Sequence, residues 1–163
     1  VDFRNSFLES SQYSKTGNYD ELKRKLFQEV RNQNYSEVTR IAKEMLSLDY
    51  TSLYALKFLS QTYGILGDTI KRNQYQEIEI GLLKSIINSG DAKTCETGWH
   101  VIKIEEEYFI LNVLGIQVKS QSLIHEKKNS CDKMEGKDQK GQDHTFFFEI
   151  NKVWELETKM FKK

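Results

Sequence analysis

Chemically able side chains are densest at Ser89-Gly90-Asp91, followed by Thr94 and Thr97. Backbone amides around a glycine, with hydroxyls beside them, can hold an anion. The same residues can also simply turn the chain. A glycine then takes the left-handed position one step beyond a helix, and the aspartate accepts from amides further along. The turn is the preferred reading, because neither a P-loop nor a dinucleotide glycine pattern is present. Ser89, Gly90, Asp91 and Thr97 are therefore expected to form a structural turn motif.

Glu105-Glu106-Glu107 offers carboxyl groups for general acid or base work. Three consecutive helical residues point in different directions, and carboxylates in a first turn meet the helix dipole favourably. A solvated helix start is the expectation. His100, His125 and His144 lie in or beside predicted strands. They could meet around zinc with Cys131, but no pair has ligand spacing. Ordinary surface or hydrogen-bonded histidines are expected, with no metal and no cofactor. Cys95 near His100 supplies the residue types of a thiol nucleophile and its base. Such a thiol needs a lowered pKa, for which the loop from Lys93 to Glu96 guarantees nothing. Cys95 and Cys131 form no C-x-x-C pair and are either free thiols or one disulfide. No catalytic residue is assigned.

The chain of 163 residues carries 24 basic and 24 acidic side chains. A nucleic-acid binder draws its affinity from a basic excess, so nucleic acid is not expected as a partner. No apolar run approaches the roughly 20 residues that span a bilayer. The first residue is Val1 and no signal peptide is visible; a leader could have been removed, so this says little about compartment. Proline is absent, so turns must use Gly, Asn, Asp and Ser.

Hydrophobic spacing supplies the elements. Val1, Phe3, Phe7 and Leu8 suggest a short first helix. Leu22, Leu26 and Val30 fall on one helical face, with Asn18 or Asp20 as its cap. Val38, Ile41, Ala42, Met45 and Leu46 mark the next helix, with Ser36 as a plausible cap. A third runs from about Thr51 to Leu66 and ends at Gly67. A fourth runs from about Thr69 to Asn88 on Tyr75, Ile78, Leu82 and Ile86, closed by Gly90. The period then changes. Residues 99–104 read as a strand, and Glu105 to Leu114 as a helix ended by Gly115. Ile116 to Ile124 reads as a second strand. Cys131–Glu135 and His144–Ile150 flank a polar loop, which is a hairpin signature. The charged stretch from Lys127 to Gln142 reads as its solvated tip. Val153, Leu156 and Met160, with Trp154 and Phe161, predict a last helix.

Residues 33–49 resemble the second helix of a tetratricopeptide repeat, and 53–68 the first helix of the next. Tyr50 stands where that repeat usually has proline, and Ser60 where it has glycine. Two partial repeats are fewer than a free-standing array needs. The whole chain also resembles a bacterial family, common in the Bacteroides group, classed only as a domain of unknown function. The resemblance is clearest over residues 83–102, from Leu83-Lys84-Ser85 to Trp99-His100-Val101-Ile102. It continues through Glu107-Tyr108, Leu111, Leu114-Gly115 and 119–124. Ala92 stands where the family usually has glycine, and Gly98 where it usually has alanine. The family resemblance places no cysteine at 95.

The expected architecture is α+β within one domain. A tetratricopeptide-like helical part, residues 1–89, packs on a small, mostly antiparallel sheet with two further helices, residues 90–163. The leading functional reading is a non-catalytic protein-interaction or scaffold domain. Lys57, Gln61, Arg72 and Gln76 are its candidate partner contacts, because they lie on helix faces outside the core stripe. This step from repeat to partner is an analogy. The alternatives are a small-ligand-binding or toxin-neutralising (immunity-type) protein and, third, an uncharacterised enzyme.

Overall fold

The computed structural model describes residues 3–13, 17–126 and 129–161, except the side chains of 157 and 159–161. Val1 and Lys127, and the side chains of Met160 and Phe161, lie outside the described residues. Two compact units divide the chain, Val1–Leu82 and Leu83–Lys163. The boundary falls inside a helix, ahead of the division expected at residue 89.

The first unit is helical, with α1 (Phe3–Leu8), α2 (Tyr19–Arg31), α3 (Tyr35–Leu48), α4 (Leu53–Ile65) and the start of α5 (Thr69–Ile87). Its core joins Leu22 and Leu26 of α2, Val38, Ile41, Ala42 and Met45 of α3, and Ala55, Leu59 and Tyr63 of α4. Leu22, Leu26, Val38, Ile41, Ala42 and Met45 are residues whose three-and-four spacing predicts α2 and α3. Gln33 adopts a left-handed conformation between α2 and α3. The start of α3 differs from expectation. Asn34 holds the cap position and Ser36 lies inside the first turn. The Asn34 side chain caps nothing and instead donates to Glu29 at 2.8 Å.

The turn from α3 to α4 contains buried polar groups, each of them bonded, as burial demands. Asp49 accepts from the Thr51 amide at 2.9 Å and the Thr51 hydroxyl at 2.6 Å. Ser52 caps α4 by accepting from the Ala55 amide, and its hydroxyl meets that of Tyr19 at 2.5 Å. Gly67 ends the next turn with φ +79°, in the left-handed region as expected. On α5, Leu82 and Ile86 are buried, whereas Ile78, assigned to the same stripe, is 47% exposed.

The second unit holds a four-stranded sheet of order β1-β4-β3-β2. The strands are β1 (Trp99–His100), β2 (Gln117–Glu126), β3 (Asn129–Lys137) and β4 (Asp143–Glu149), with helices α6 (Ile104–Val113) and α7 (Asn151–Phe161). Neighbouring β2, β3 and β4 are antiparallel, and β1 joins β4 in parallel. The sheet is thus mostly antiparallel, as expected. The first strand is shorter than the 99–104 segment read from its β-rich composition. After Val101, whose amide reaches the Glu149 carbonyl, the chain leaves the sheet. The Ile102 amide then donates to the Glu106 side chain at 2.9 Å. At the β3–β4 tip, Asp138 accepts from the amides of Lys140 and Gln142, and Gly141 takes φ +81°.

Leu59 is fully buried within the helical core. Leu59→Ala is expected to cost about 2–5 kcal/mol in denaturant unfolding. A loss below about 1 kcal/mol would mean that this cluster is not what holds the helices together.

Candidate functional site

The Ser89–Thr97 segment folds onto itself. Asp91 accepts from the Lys93 amide at 3.0 Å and the Thr97 hydroxyl at 2.6 Å. The hydroxyls of Thr94 and Thr97 meet at 2.9 Å, and Thr94 also accepts from the Thr97 amide. The amides of Asp91 and Ala92 both donate to the Thr97 carbonyl. Ser89 donates to the Ile86 carbonyl and accepts from the His100 amide at 2.7 Å. The amides of Ser89, Asp91, Ala92, Lys93 and Thr97 are therefore spent on oxygens of the same segment or of the helix before it.

Gly90 requires a correction. It does not occupy the left-handed region; that conformation belongs to Ala92, with φ 56°. Gly90 is demanded instead by a close approach. A Cβ there would lie 2.3 Å from the Thr97 carbonyl oxygen and 2.7 Å from that of Gly98. The Trp99 indole donates to the Gly90 carbonyl at 3.2 Å, drawing the two arms of the turn together.

The glutamate run also departs from expectation. Glu106 and Glu107 are buried, not solvated. Glu107 is 0% exposed and no donor reaches either of its carboxyl oxygens, while Asp132 on β3 is 4% exposed. Burial raises the Glu107 pKa, and the nearby charges of Asp132 and Glu106 add to the effect, bringing it to about 9. Burial raises the Asp132 carboxyl too, opposed by hydrogen bonds from Gln121 and from Glu107. The raised pKa keeps a proton on Glu107 at neutral pH, beside the Asp132 carboxyl. Asp132 also accepts from Gln121 Nε2 at 2.6 Å, and Gln121 Oε1 accepts from the Tyr108 hydroxyl at 2.6 Å. A polar line thus runs from the covered carboxyl pair to two exposed side chains.

The three histidines are dispersed. His100 Nδ1 pairs with Glu149, His125 with the Ser130 hydroxyl at 2.9 Å, and His144 with Asp138 at 3.1 Å. No group of three metal-ligating side chains forms among the described residues. Cys95 and Cys131 are joined in a disulfide, with their Cα atoms 5.5 Å apart. That removes Cys95 as a nucleophile and Cys131 as a thiolate ligand. Linking residues 36 apart takes roughly 4 kcal/mol of chain entropy from the unfolded state on the loop-closure model.

In the helical unit, Lys57 and Gln61 lie one turn apart on α4, and Arg72 and Gln76 one turn apart on α5. Lys57 acts electrostatically on Glu79 of α5, and the Arg72 stem lies beside Gly64 of α4. All four therefore border the α4–α5 seam. Spacing did not reveal a second cluster there, around Tyr63. Lys43 Nζ lies 5.7 Å and Lys71 Nζ 5.1 Å from the centre of its ring. The Tyr75 ring stacks on it at 5.7 Å with an interplanar angle of 3°.

An α+β chain with a helical first part and a mixed sheet after it matches one family model. The match covers residues 3–159, so the chain belongs to the family described as Domain of unknown function (DUF4919). No curated protein and no solved structure matches it. No helix among the described residues is long and apolar enough to cross a membrane.

Two tests separate the roles of these residues. Gly90→Ala and Gly90→Asn are both expected to destabilise by about 1–3 kcal/mol in denaturant unfolding, because either adds a Cβ against a carbonyl. Tolerance of Asn alone would point back to a left-handed requirement. The second test uses pH. Folded Glu107 keeps its proton to about pH 9, whereas in the unfolded chain it ionises near the ordinary 4.5. The unfolded state binds fewer protons across that interval, so stability falls as pH rises through it. Glu107→Gln cannot ionise and keeps a donor towards Asp132. Its melting temperature is expected to decline less between about pH 6 and pH 9 than that of the wild type. Parallel declines would show that Glu107 does not hold the proton.

Proposed function

We propose that the chain is a non-catalytic interaction domain whose helical unit, tetratricopeptide-like in its consecutive helices, holds a protein partner. The observation that carries this reading is the turn between α4 and α5. Ile65, Leu66 and Ile70 are 61%, 56% and 72% exposed there. Single exposed apolar residues are ordinary, but grouped ones mark surfaces that associate. The short helices joined by tight turns support the repeat-like reading, and Arg72, Gln76, Lys57 and Gln61 supply a polar border.

A small-ligand reading has one observation of its own. A polar groove of about 320 Å³ is lined by Lys119, Ser120, Glu135, Asp143, His144 and Thr145 in the sheet unit. Most of its side chains are already engaged, Ser120 with Glu135 at 2.8 Å, Asp143 with Lys137 and His144 with Asp138. The helical surface is therefore preferred.

Affinity capture from the native organism tests the reading, with the wild-type chain set against an Ile65→Asp, Ile70→Asp double variant. Both sites are exposed, so the variant should melt within about 2 °C of wild type. A defined protein retained by the wild type and lost with the variant is the expected result. Identical captured sets would defeat the proposal.

A further inference from the structure

We propose that the helical unit binds an acidic peptide segment of its partner where Lys43 of α3, Tyr63 of α4, and Lys71 and Tyr75 of α5 converge. This rests on the interaction reading above and adds the chemistry of the partner. Three helices bring two ammonium groups to one aromatic ring, and a second ring is stacked on that one. The arrangement holds the rings rigidly while leaving both lysines exposed. Lys71 also pairs with Asp68 at 2.8 Å. Among the described residues Lys43 makes no ion pair, and the neighbouring Glu44 is engaged by Arg40 at 3.0 Å.

The Tyr63 side chain raises the Lys43 pKa, and the charge of Lys71 opposes it slightly, because the two ammonium groups repel each other. A carboxylate placed between them would relieve that repulsion and accept from both. Arg72, adjacent on α5, adds a third cation to the same border. Ile70 precedes Lys71 directly, and Ile65 and Leu66 lie across the turn, so apolar contact surface adjoins the cationic spot. A segment combining acidic and apolar side chains complements both features, with charge fixing register and the apolar residues adding contact area.

The test uses the full chain and a fluorescein-labelled decapeptide of Glu and Leu, read by anisotropy. A Lys and Leu decapeptide, inorganic phosphate and a ten-residue oligothymidylate serve as alternative ligands. Saturable binding of the Glu and Leu peptide is expected. It should weaken by about tenfold or more from low to physiological salt, since exposed charges are screened. Lys43→Glu with Lys71→Glu should weaken it about tenfold or more without lowering the melting temperature. Lys23→Glu, which alters a lysine over the Tyr54 ring instead, should leave binding unchanged. The proposal is overturned if the acidic peptide does not saturate or the basic peptide binds as well. Indifference to the double charge reversal, or displacement by phosphate or oligothymidylate at lower concentration than by unlabelled peptide, would overturn it too. Should the Ile65 and Ile70 variant lose its captured partner while the acidic peptide fails to bind, the interaction reading stands and this inference alone falls. Should the captured sets be identical, the interaction reading falls first.

Discussion

Two carboxyl groups lie covered in the sheet unit, Glu107 from α6 and Asp132 from β3, and each constrains the charge of the other. Two ionised carboxylates so enclosed would repel in surroundings that screen poorly. Keeping the proton on Glu107 removes one of the two charges, while Gln121 donates to Asp132. Phe109, Ile110 and Leu111 are all buried on α6 as well. Each such side chain contributes about 1.5–3 kcal/mol when covered. Glu106 is bound into the same packing, because its carboxylate takes the Ile102 amide that the shortened β1 leaves without a strand partner. The two glutamates thus set where the strand stops and how the helix starts.

Apolar spacing made the elements legible, and the polar interior was much less so. Leu22, Leu26, Ile41 and Met45 behave as their periodicity predicts, because a helix with one apolar face has one way to bury it. The hairpin between β3 and β4 was legible from its turn residues. The stretch expected as its solvated tip, Lys127 to Gln142, however contains β3, where Cys131, Asp132 and Met134 are buried. Glu106 and Glu107 were misread because acidic residues in a first helical turn are usually solvated. A signal was nevertheless present. Glu107 precedes Ile110 and Leu111 by three and four residues, so it occupies the apolar stripe itself. Its partner Asp132 is supplied by a different strand, and no local spacing announces that pairing. The misreading of Ile78 has the opposite origin, since periodicity identifies a face but not whether anything covers it.

The turn after α5 shows how a local departure can be supported from elsewhere. Ala92 adopts the left-handed region, which costs a residue with a Cβ about 1–2 kcal/mol. Its amide donates to the Thr97 carbonyl, and its carbonyl accepts from the Phe147 amide of β4. Three residues on, the Cys95–Cys131 disulfide ties the segment to β3. Gly98 completes the fit, since a Cβ there would sit 3.0 Å from the Phe147 carbonyl oxygen and from the Glu149 amide. The family resemblance places glycine at 92, alanine at 98 and no cysteine at 95. In this chain, strain at 92 is thus accompanied by a covalent tie, with space ceded at 98.

Ion pairs cancel charge locally in both units of a chain whose formal charges sum to zero. In the sheet unit, Lys133 meets Glu135, Lys137 meets Asp143, and His144 meets Asp138. Such pairs sit across or along strands and leave little field beyond the surface, because each charge is cancelled within a few ångströms. In the helical unit, Lys71 pairs with Asp68 and also lies over the Tyr63 ring, whereas Lys43 lies over that ring and makes no ion pair among the described residues. A ring face attracts a cation through its quadrupole without cancelling its charge, so the positive potential of Lys43 persists outward. That placement depends on helices bringing residues from α3, α4 and α5 to one place, which composition averages away. A formal balance of charge therefore argues against a polyanion spread over the whole surface. It leaves room for a single acidic segment at one spot, where a few local charges decide recognition.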